Sequence, residues 1–357
     1  VTHEDLNDDC LARALDMLAE ANPKKVTSTI MLNALAIEDI MLTRIHADTT
    51  SISVYGEYRH DEEEEDSSPF IRLLRGHSKD HRPDLLQLKV GLGVTQDGIP
   101  VIGEPLSGNV DDKTWNNNFI KTMAAHLDKV DLHKVVYVAD SSVVTKDNLD
   151  QIAEQRLLMI SRLPATFSLE GELKELAWEK NEWIEVGKLS SAREGAAYRK
   201  AASCKVQTFT RELYGRPYNF LVAYSTALDK RKVKALDKHN NCFVLITNAL
   251  LMEPPDVLRE YKEQIGVETS FKFLKDPTYL DAIYLKKESR IEALAYVLLL
   301  ALLLHRILQR RVRKALEAEG SHMVVAGGVK TTAPPGTGYW SFWQGDSLVY
   351  PEFMDPI

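Results

Sequence analysis

The sequence predicts an α/β fold: a mixed sheet of three antiparallel strands followed by two parallel ones, with flanking helices and a β-rich insertion. Three observations carry that reading. The stretch LLQLKVGLGVTQDGIPVIGEPLSGN is two strand-like runs split by Gln96-Asp97-Gly98, the turn signal of a hairpin. The short apolar runs KVVYVAD and LLMISRL each follow a helical pattern, the alternation that crossover-connected strands produce. Hydrophobic residues make up 44% and charged residues 27% of 357, so the chain can bury a sizeable core and is long enough for more than one domain.

Residues 1–42 read as a helical lead-in. Leu6, Cys10, Ala14, Met17 and Leu18 share one helical face, and a second apolar-periodic segment follows Lys25. In LTRIHADTTSISVYGEY the period changes, with Ile45, Ala47, Ile52 and Val54 set among Thr and Ser as in a strand. The acidic run Asp61–Asp66, followed by Ser-Ser-Pro, reads as a solvated loop. After the hairpin come a helix through KTWNNNFIKTMAAHLDKV, the strand ending on Asp140, a helix in TKDNLDQIAEQ and the strand LLMISRL. Residues 43–166 are thus the first part of the core.

From 167 to 247 the runs EWIEVGKL, AAYRKAASCKVQTFT, RPYNFLVAYST and NCFVLITN form the β-rich insertion. Helices return over 248–316 as the second part of the core, through VLREYKEQIGVETSFKFLK and DAIYLKKESRIEALAYVLLLALLLHRIL. Residues 317–357 are a Gly/Pro/Thr-rich linker with an aromatic tail.

Composition narrows the function classes. Three cysteines without CxxC spacing argue against a disulfide framework and a Cys-ligated zinc site, and point to a reducing cytoplasm. The formal charge of −8 owes six acids to the Asp61–Asp66 run; the rest of the chain stands at −2, so charge neither favours nor excludes a nucleic-acid partner. The chain begins on Val1, which suggests a piece of a longer protein, and no signal-peptide pattern opens it. The uninterrupted apolar run Ala293–Leu304 is shorter than the roughly 20 residues that span a bilayer, and His305, Arg306, Arg310 and Arg311 follow it; a buried core helix is the expected use.

Two acids, one toward the middle of the first strand and one at the end of the fourth, invite a chemical reading. Asp48 lies in HADTT on the first strand and Asp140 ends the fourth; where those strands are neighbours, the two carboxylates can share a divalent cation. A third acid, Glu268, falls with Tyr261, Gln264 and Lys275 at helical steps, so one stripe of a single helix would carry all four. His46, two residues before Asp48, shares its side of the strand and is expected to be packed or hydrogen-bonded rather than a ligand. Trp178 and Trp183 are expected in core packing.

The order HADTT, VYVADSS, YKEQIGVETSFKFLK resembles the DDE transposases of bacterial insertion sequences, in the insertion sequence 4 superfamily, whose third acid sits in a Tyr-x2-Arg-x3-Glu-x6-Lys signature. Here Gln264 stands in place of the Arg. The stretch HSKDHRPD resembles the branch of that superfamily in which such a sequence precedes the second strand. The resemblance spans about residues 1–315 and implies a ribonuclease H-like core. In it Asp48, Asp140 and Glu268 bind two Mg2+ ions, with Mn2+ able to substitute, and catalyse DNA nicking and strand transfer. It further implies DNA contacts from Tyr261, Gln264, Lys275, Lys79 and Arg82. The implied partners are double-stranded DNA, as transposon ends and target, and a second copy of the chain, with no membrane. A catalytically silent DNA-binding remnant and a metal-dependent nuclease of the same fold are the alternatives.

Overall fold

The computed structural model of the chain describes residues 7–56, 58, 69–127, 131–188, 203–226, 242–277, 280, 283, 285–325 and 329–332. The acidic run 61–66, residues 227–241 and the aromatic tail from 333 lie outside the described residues. Two compact units divide the chain, residues 1–299 and 300–357.

In the first unit, helices α1 (Asp8–Glu20) and α2 (Pro23–Ile37) precede the sheet. Asn7 caps α1 by accepting from the Cys10 N–H, and Asn22 caps α2 the same way through Lys25. The strands β1 (Arg44–Val54), β2 (Leu86–Val94) and β3 (Pro100–Ser107) form an antiparallel set, and α2 packs on β3 with Lys24 Nζ 2.5 Å from Glu104 Oε2. Next come α3 (Asp112–His126), β4 (Val136–Ala139), α4 (Lys146–Glu154) and β5 (Leu158–Arg162), with β4 parallel to both β1 and β5. Three antiparallel strands followed by two parallel ones is the ribonuclease H-like arrangement expected from the sequence.

The region expected as a β-rich insertion opens with a helix, α5 (Ser168–Lys180), where strand-like runs alone were anticipated. Its strands β6 (Ile184–Lys188), β7 (Ser203–Leu213), β8 (Arg216–Ser225) and β9 (Cys242–Thr247) do not make a second sheet. β9 pairs antiparallel with β5, and the whole becomes one nine-stranded sheet in the order β3-β2-β1-β4-β5-β9-β8-β7-β6. β9 is buried along all six residues, which makes it an interior strand as its unbroken apolar run CFVLIT requires.

Both faces of the sheet are covered. On one, Val136, Val138, Ile160, Val206, Leu221 and Leu245 pack with Val257 and Leu258 of α6 (Pro254–Lys262). On the other, Tyr137 lies under α3, stacked in a row with Phe119 and Trp115. Strand alternation sorts every residue of β4 between these two faces.

The stripe expected on one helix is divided between two. α6 ends at Lys262, Glu263 and Gln264 form a turn of near-helical backbone, and α7 runs Ile265–Leu274, with Lys275 capping its end. The reason is docking: α6 packs on β5 and β7, whereas α7 packs on β1 and β2, and its Ser270 Oγ reaches the Gly98 carbonyl of the hairpin turn. One straight helix cannot follow strands that are rotated by the sheet's twist.

The helix α8 (Glu288–Ala318) extends well past the apolar run on both sides and is long and apolar enough, by length and composition, to cross a membrane. Half of its most apolar 18-residue window is buried inside the protein, including Ile291, Ala293, Tyr296, Leu299, Leu302 and Leu303. Its first turns also carry buried work for carboxylates: Glu288 and Glu292 accept the backbone N–H groups of Leu73 and Ile71 at 2.8 and 2.9 Å. Burial holds the Glu292 carboxyl above the usual carboxylate range.

Candidate active site

The register between β1 and β4 places the first two acids. Ala47 pairs with Ala139, so Asp48 and Asp140 are the next residues on adjacent parallel strands, which run about 4.8 Å apart. Val138 faces α6, and Asp140 follows it by two residues in extended backbone, so it shares that face. His46 pairs with Val138, and Asp48 follows His46 by two, so Asp48 shares it as well. Burial raises the Asp48 carboxyl above the usual range, and the charge of Asp140 adds to that rise. The Lys79 ammonium and the Thr49 N–H pull against both.

Glu268 enters from α7, which crosses β1 and β2, and its side chain is exposed. Tyr261, near the end of α6, is largely buried. Burial lifts its hydroxyl above the usual tyrosine range, Arg162 pulls it back, and the charges of Asp140, Asp48 and Glu268 lift it further. Its ring packs beside Phe243, 6.0 Å between centroids, on the core under α6.

Hydrogen bonds fix Asp140. Its Oδ1 accepts from the Ser142 N–H at 3.1 Å and the Ser142 hydroxyl at 2.5 Å. Asn116 of α3 donates to Ser142 Oγ at 2.9 Å and accepts from the Tyr137 hydroxyl at 2.6 Å. Burial pushes that hydroxyl far up, with Asp140 and Asp48 adding to the effect, so it stays a donor. Asp112, at the start of α3, is a fourth acid close by. It accepts from the Thr49 hydroxyl at 2.7 Å and from buried Lys89 at 2.6 Å. Burial alone would raise its carboxyl, but the bonds from Lys89 and Thr49 leave it below the ordinary range.

The expected DNA-contacting residues take varied positions. Lys79 turns inward: its Nζ is 2.9 Å from Asp48 Oδ1 and 2.5 Å from the Thr49 carbonyl oxygen. Burial would lower this ammonium, yet Asp48, through charge and hydrogen bond, together with Asp112 and Asp140, leaves it raised. Lys275 pairs with Asp80 at 2.5 Å. Arg82 is exposed and forks onto Asp84 at 2.9 and 2.7 Å. Gln264 sits in the turn between α6 and α7.

His46 is fully buried, and its Nε2 lies 3.1 Å from Glu260 Oε1, while Arg44 pairs with the other oxygen. His46, Glu260 and Glu263 offer ligand atoms within 4.8 Å of one another, but Arg44 already holds Glu260 and Gln96 donates to Glu263 at 2.6 Å. This cluster therefore serves as a tie between α6 and β1. Trp178 and Trp183 do not pack into the core alone: with Tyr224 they surround the Lys205 ammonium, 4.5 to 5.1 Å from the ring centroids.

Arg162 went unnoticed in the sequence. Ala139 pairs with Ser161, so exposed Arg162 is the neighbour of Asp140 on β5, and its charge reaches Tyr261. Only the β4–β5 register reveals it, since an Arg ending a short strand carries no local signal.

The donor set suits a hard divalent cation. Asp48, Asp140 and Glu268 supply carboxylate oxygens, and a cationic group, the Lys79 ammonium, already sits on Asp48.

Among solved structures, the chain is similar to a piggyBac transposase synaptic complex with hairpin DNA, at 10% identity and a TM-score of 0.42, covering 78% of this chain and 48% of that one. It is also similar to a Mos1 mariner paired-end complex with Mn, at 14% identity and a TM-score of 0.22, covering 40% of this chain and 41% of that one. The chain thus spans less than half the length of these proteins. No curated protein matches it. The family model described as Transposase DDE domain matches residues 44–304, a range that opens on β1 and takes in Asp48, Asp140, Glu268 and the whole nine-stranded sheet. With that much of its length matched, the chain belongs to the transposase DDE domain family.

Proposed function

We propose that the chain is the catalytic part of a DNA transposase, cutting phosphodiester bonds at element ends and joining the freed strand to target DNA. The observation that carries it is the register that sets Asp48 and Asp140 side by side on β1 and β4, with the Glu268 helix α7 packed on β1, inside a chain of this family. In this reading Asp48, Asp140 and Glu268 hold two Mg2+ ions, or Mn2+ in their place. When bound, such ions activate the attacking hydroxyl and stabilise the leaving oxygen.

The remaining roles fall to the chain's own residues. Tyr261 keeps its proton at neutral pH and can donate to a phosphate oxygen. Arg162, exposed beside Asp140, offers the planar cation for a phosphate that Gln264 cannot supply. Lys275 adds a second cation at the end of α7. The Ser142–Asn116–Tyr137 chain holds the Asp140 carboxylate to one orientation, which limits the freedom lost when it takes up a ligand. Double-stranded DNA is the substrate, a pair of chains the working assembly on paired ends, and a bacterial cytoplasm the setting.

The test is nicking of supercoiled plasmid in Mg2+ or Mn2+, comparing the parent chain with Asp140→Ala and Glu268→Ala at equal concentration. The proposal expects cleavage by the parent and none above background by either variant. Cleavage that survives in both variants would remove these acids from the chemistry. A parent chain that neither cuts nor binds the ions in calorimetry would be a DNA-binding remnant. Joining of a labelled, precut end to plasmid separates the transposase from a nuclease of the same fold.

A further inference from the structure

We propose that Lys79 and Asp80 are built-in occupants of the catalytic site: the Lys79 ammonium holds Asp48 against the divalent cation, and the Asp80 carboxylate holds Lys275 against a DNA phosphate. The proposal rests on the function proposed above and adds a control on it. Adjacent residues of one loop take opposite charges to the two halves of the site. Lys79 Nζ sits 2.9 Å from Asp48 Oδ1, and Asp80 Oδ1 sits 2.5 Å from Lys275 Nζ. A cation at Asp48 competes with the Lys79 ammonium for the carboxylate charge, and a phosphate at Lys275 competes with the Asp80 carboxylate for the ammonium.

The loop is built to hold this arrangement. The Lys79 N–H donates to Ser51 Oγ of β1 at 2.8 Å, and the N–H groups of Asp80 and Arg82 both donate to Ser78 Oγ at 3.2 Å. Ser78 is itself buried. His81 follows with φ 59, a left-handed backbone unusual for a residue with a β-carbon, so the chain turns directly after the two residues that reach β1 and the end of α7.

The charged ends are nonetheless within reach of solvent. The side chains of Lys79 and Asp48 are each 28% exposed, and those of Lys275 and Asp80 are 28% and 32%. Backbone anchoring with half-open side chains means the occupants can leave without unfolding the loop. The four-carbon stem of Lys79 allows its ammonium to swing to an incoming phosphate while Ser51 and Ser78 hold the main chain. A phosphate that draws the Lys79 ammonium away from Asp48 frees that carboxylate for the ion, so DNA and metal favour each other's arrival.

The experiment measures binding on the whole chain. Mn2+ affinity is read by calorimetry for the parent, Lys79→Met, Lys79→Gln and Asp140→Ala. Binding of a short DNA duplex without divalent metal is read by fluorescence anisotropy for the parent, Asp80→Asn and Lys275→Met. The expected result is Mn2+ binding about tenfold tighter in both Lys79 variants, and duplex binding severalfold tighter in Asp80→Asn but weaker in Lys275→Met. In the unaltered chain, reductive methylation of Lys79, read by mass spectrometry, should rise severalfold on adding Mn2+; this needs no variant to fold.

Equal or weaker Mn2+ binding in the Lys79 variants, with Asp140→Ala clearly impaired, would overturn the inference and leave the metal site standing. Mn2+ binding absent from the parent and from both Lys79 variants would overturn the catalytic reading itself. Methylation of Lys79 unchanged by Mn2+, in a chain that binds the ion, would also overturn the inference.

Discussion

Glu260 is the residue whose loss should best expose how the signature helix is held to the sheet. It is 4% exposed, and both its oxygens are used, one by Arg44 and one by His46 at 3.1 Å. Arg44 and His46 lie on β1 just before Asp48, and Glu260 lies just before Tyr261, so this tie joins two parts of the site. Glu260→Ala would leave two polar side chains facing an apolar gap. Removing one side of a buried pair typically costs 3–5 kcal/mol; Arg44 is about one-third exposed and can recover some hydration, which points to about 3 kcal/mol.

Glu260→Gln keeps a hydrogen-bond acceptor but not the charge and should lose about half as much. The pair of changes His46→Phe with Glu260→Met, which replaces polar partners by apolar volume, should recover most of the stability. Urea unfolding followed by circular dichroism gives the free energies, and Mn2+ calorimetry shows whether the acids remain in place. A loss below about 1 kcal/mol for Glu260→Ala would refute the argument, since it would mean that α6 stays docked through its apolar face alone.

Two further outcomes follow from packing and burial. A β-carbon at Gly91 would overlap the indole of Trp115, which is fully buried against Phe119, so Gly91→Ala should cost about 1–3 kcal/mol and shift the environment of that tryptophan in fluorescence. Burial, with Arg306 beside it, lowers His305 to about 4 from an unfolded value near 6.5. A lowered group stabilises the folded chain above its unfolded pKa, and that stability drains away as pH falls from about 6.5 toward about 4; His305→Phe should flatten this acid-side decline in thermal melts recorded across that range.

Much of this site was legible because strand ends and strand order are written in local sequence. KVVYVAD is a short apolar run between two helical patterns, which reads as an interior strand, and its final Asp falls at that strand's C-terminal end. Periodicity failed where tertiary contacts decide. The spacing of Tyr261, Gln264, Glu268 and Lys275 fits one helix, but the chain breaks at Glu263–Gln264 because its two halves dock on different strands. The inward direction of Lys79 rests on its bonds to Ser51, Asp48 and Thr49 of β1, which no neighbouring residue announces. Arg162 is a site neighbour only through the pairing of β4 with β5, and the union of the insertion with the main sheet depends on β9 meeting β5.

The pairing of Ala47 with Ala139 has one more consequence. The acids are adjacent because two strands are in phase, and phase is a property that insertion or deletion changes while substitution does not. Losing one residue between Arg44 and Ala47 would carry Asp48 to the opposite side of the sheet, beneath α3, with every carboxylate still present in the sequence. Inventories of catalytic letters would score such a chain as intact. Its competence is instead set by parity, odd or even, counted along four residues of β1.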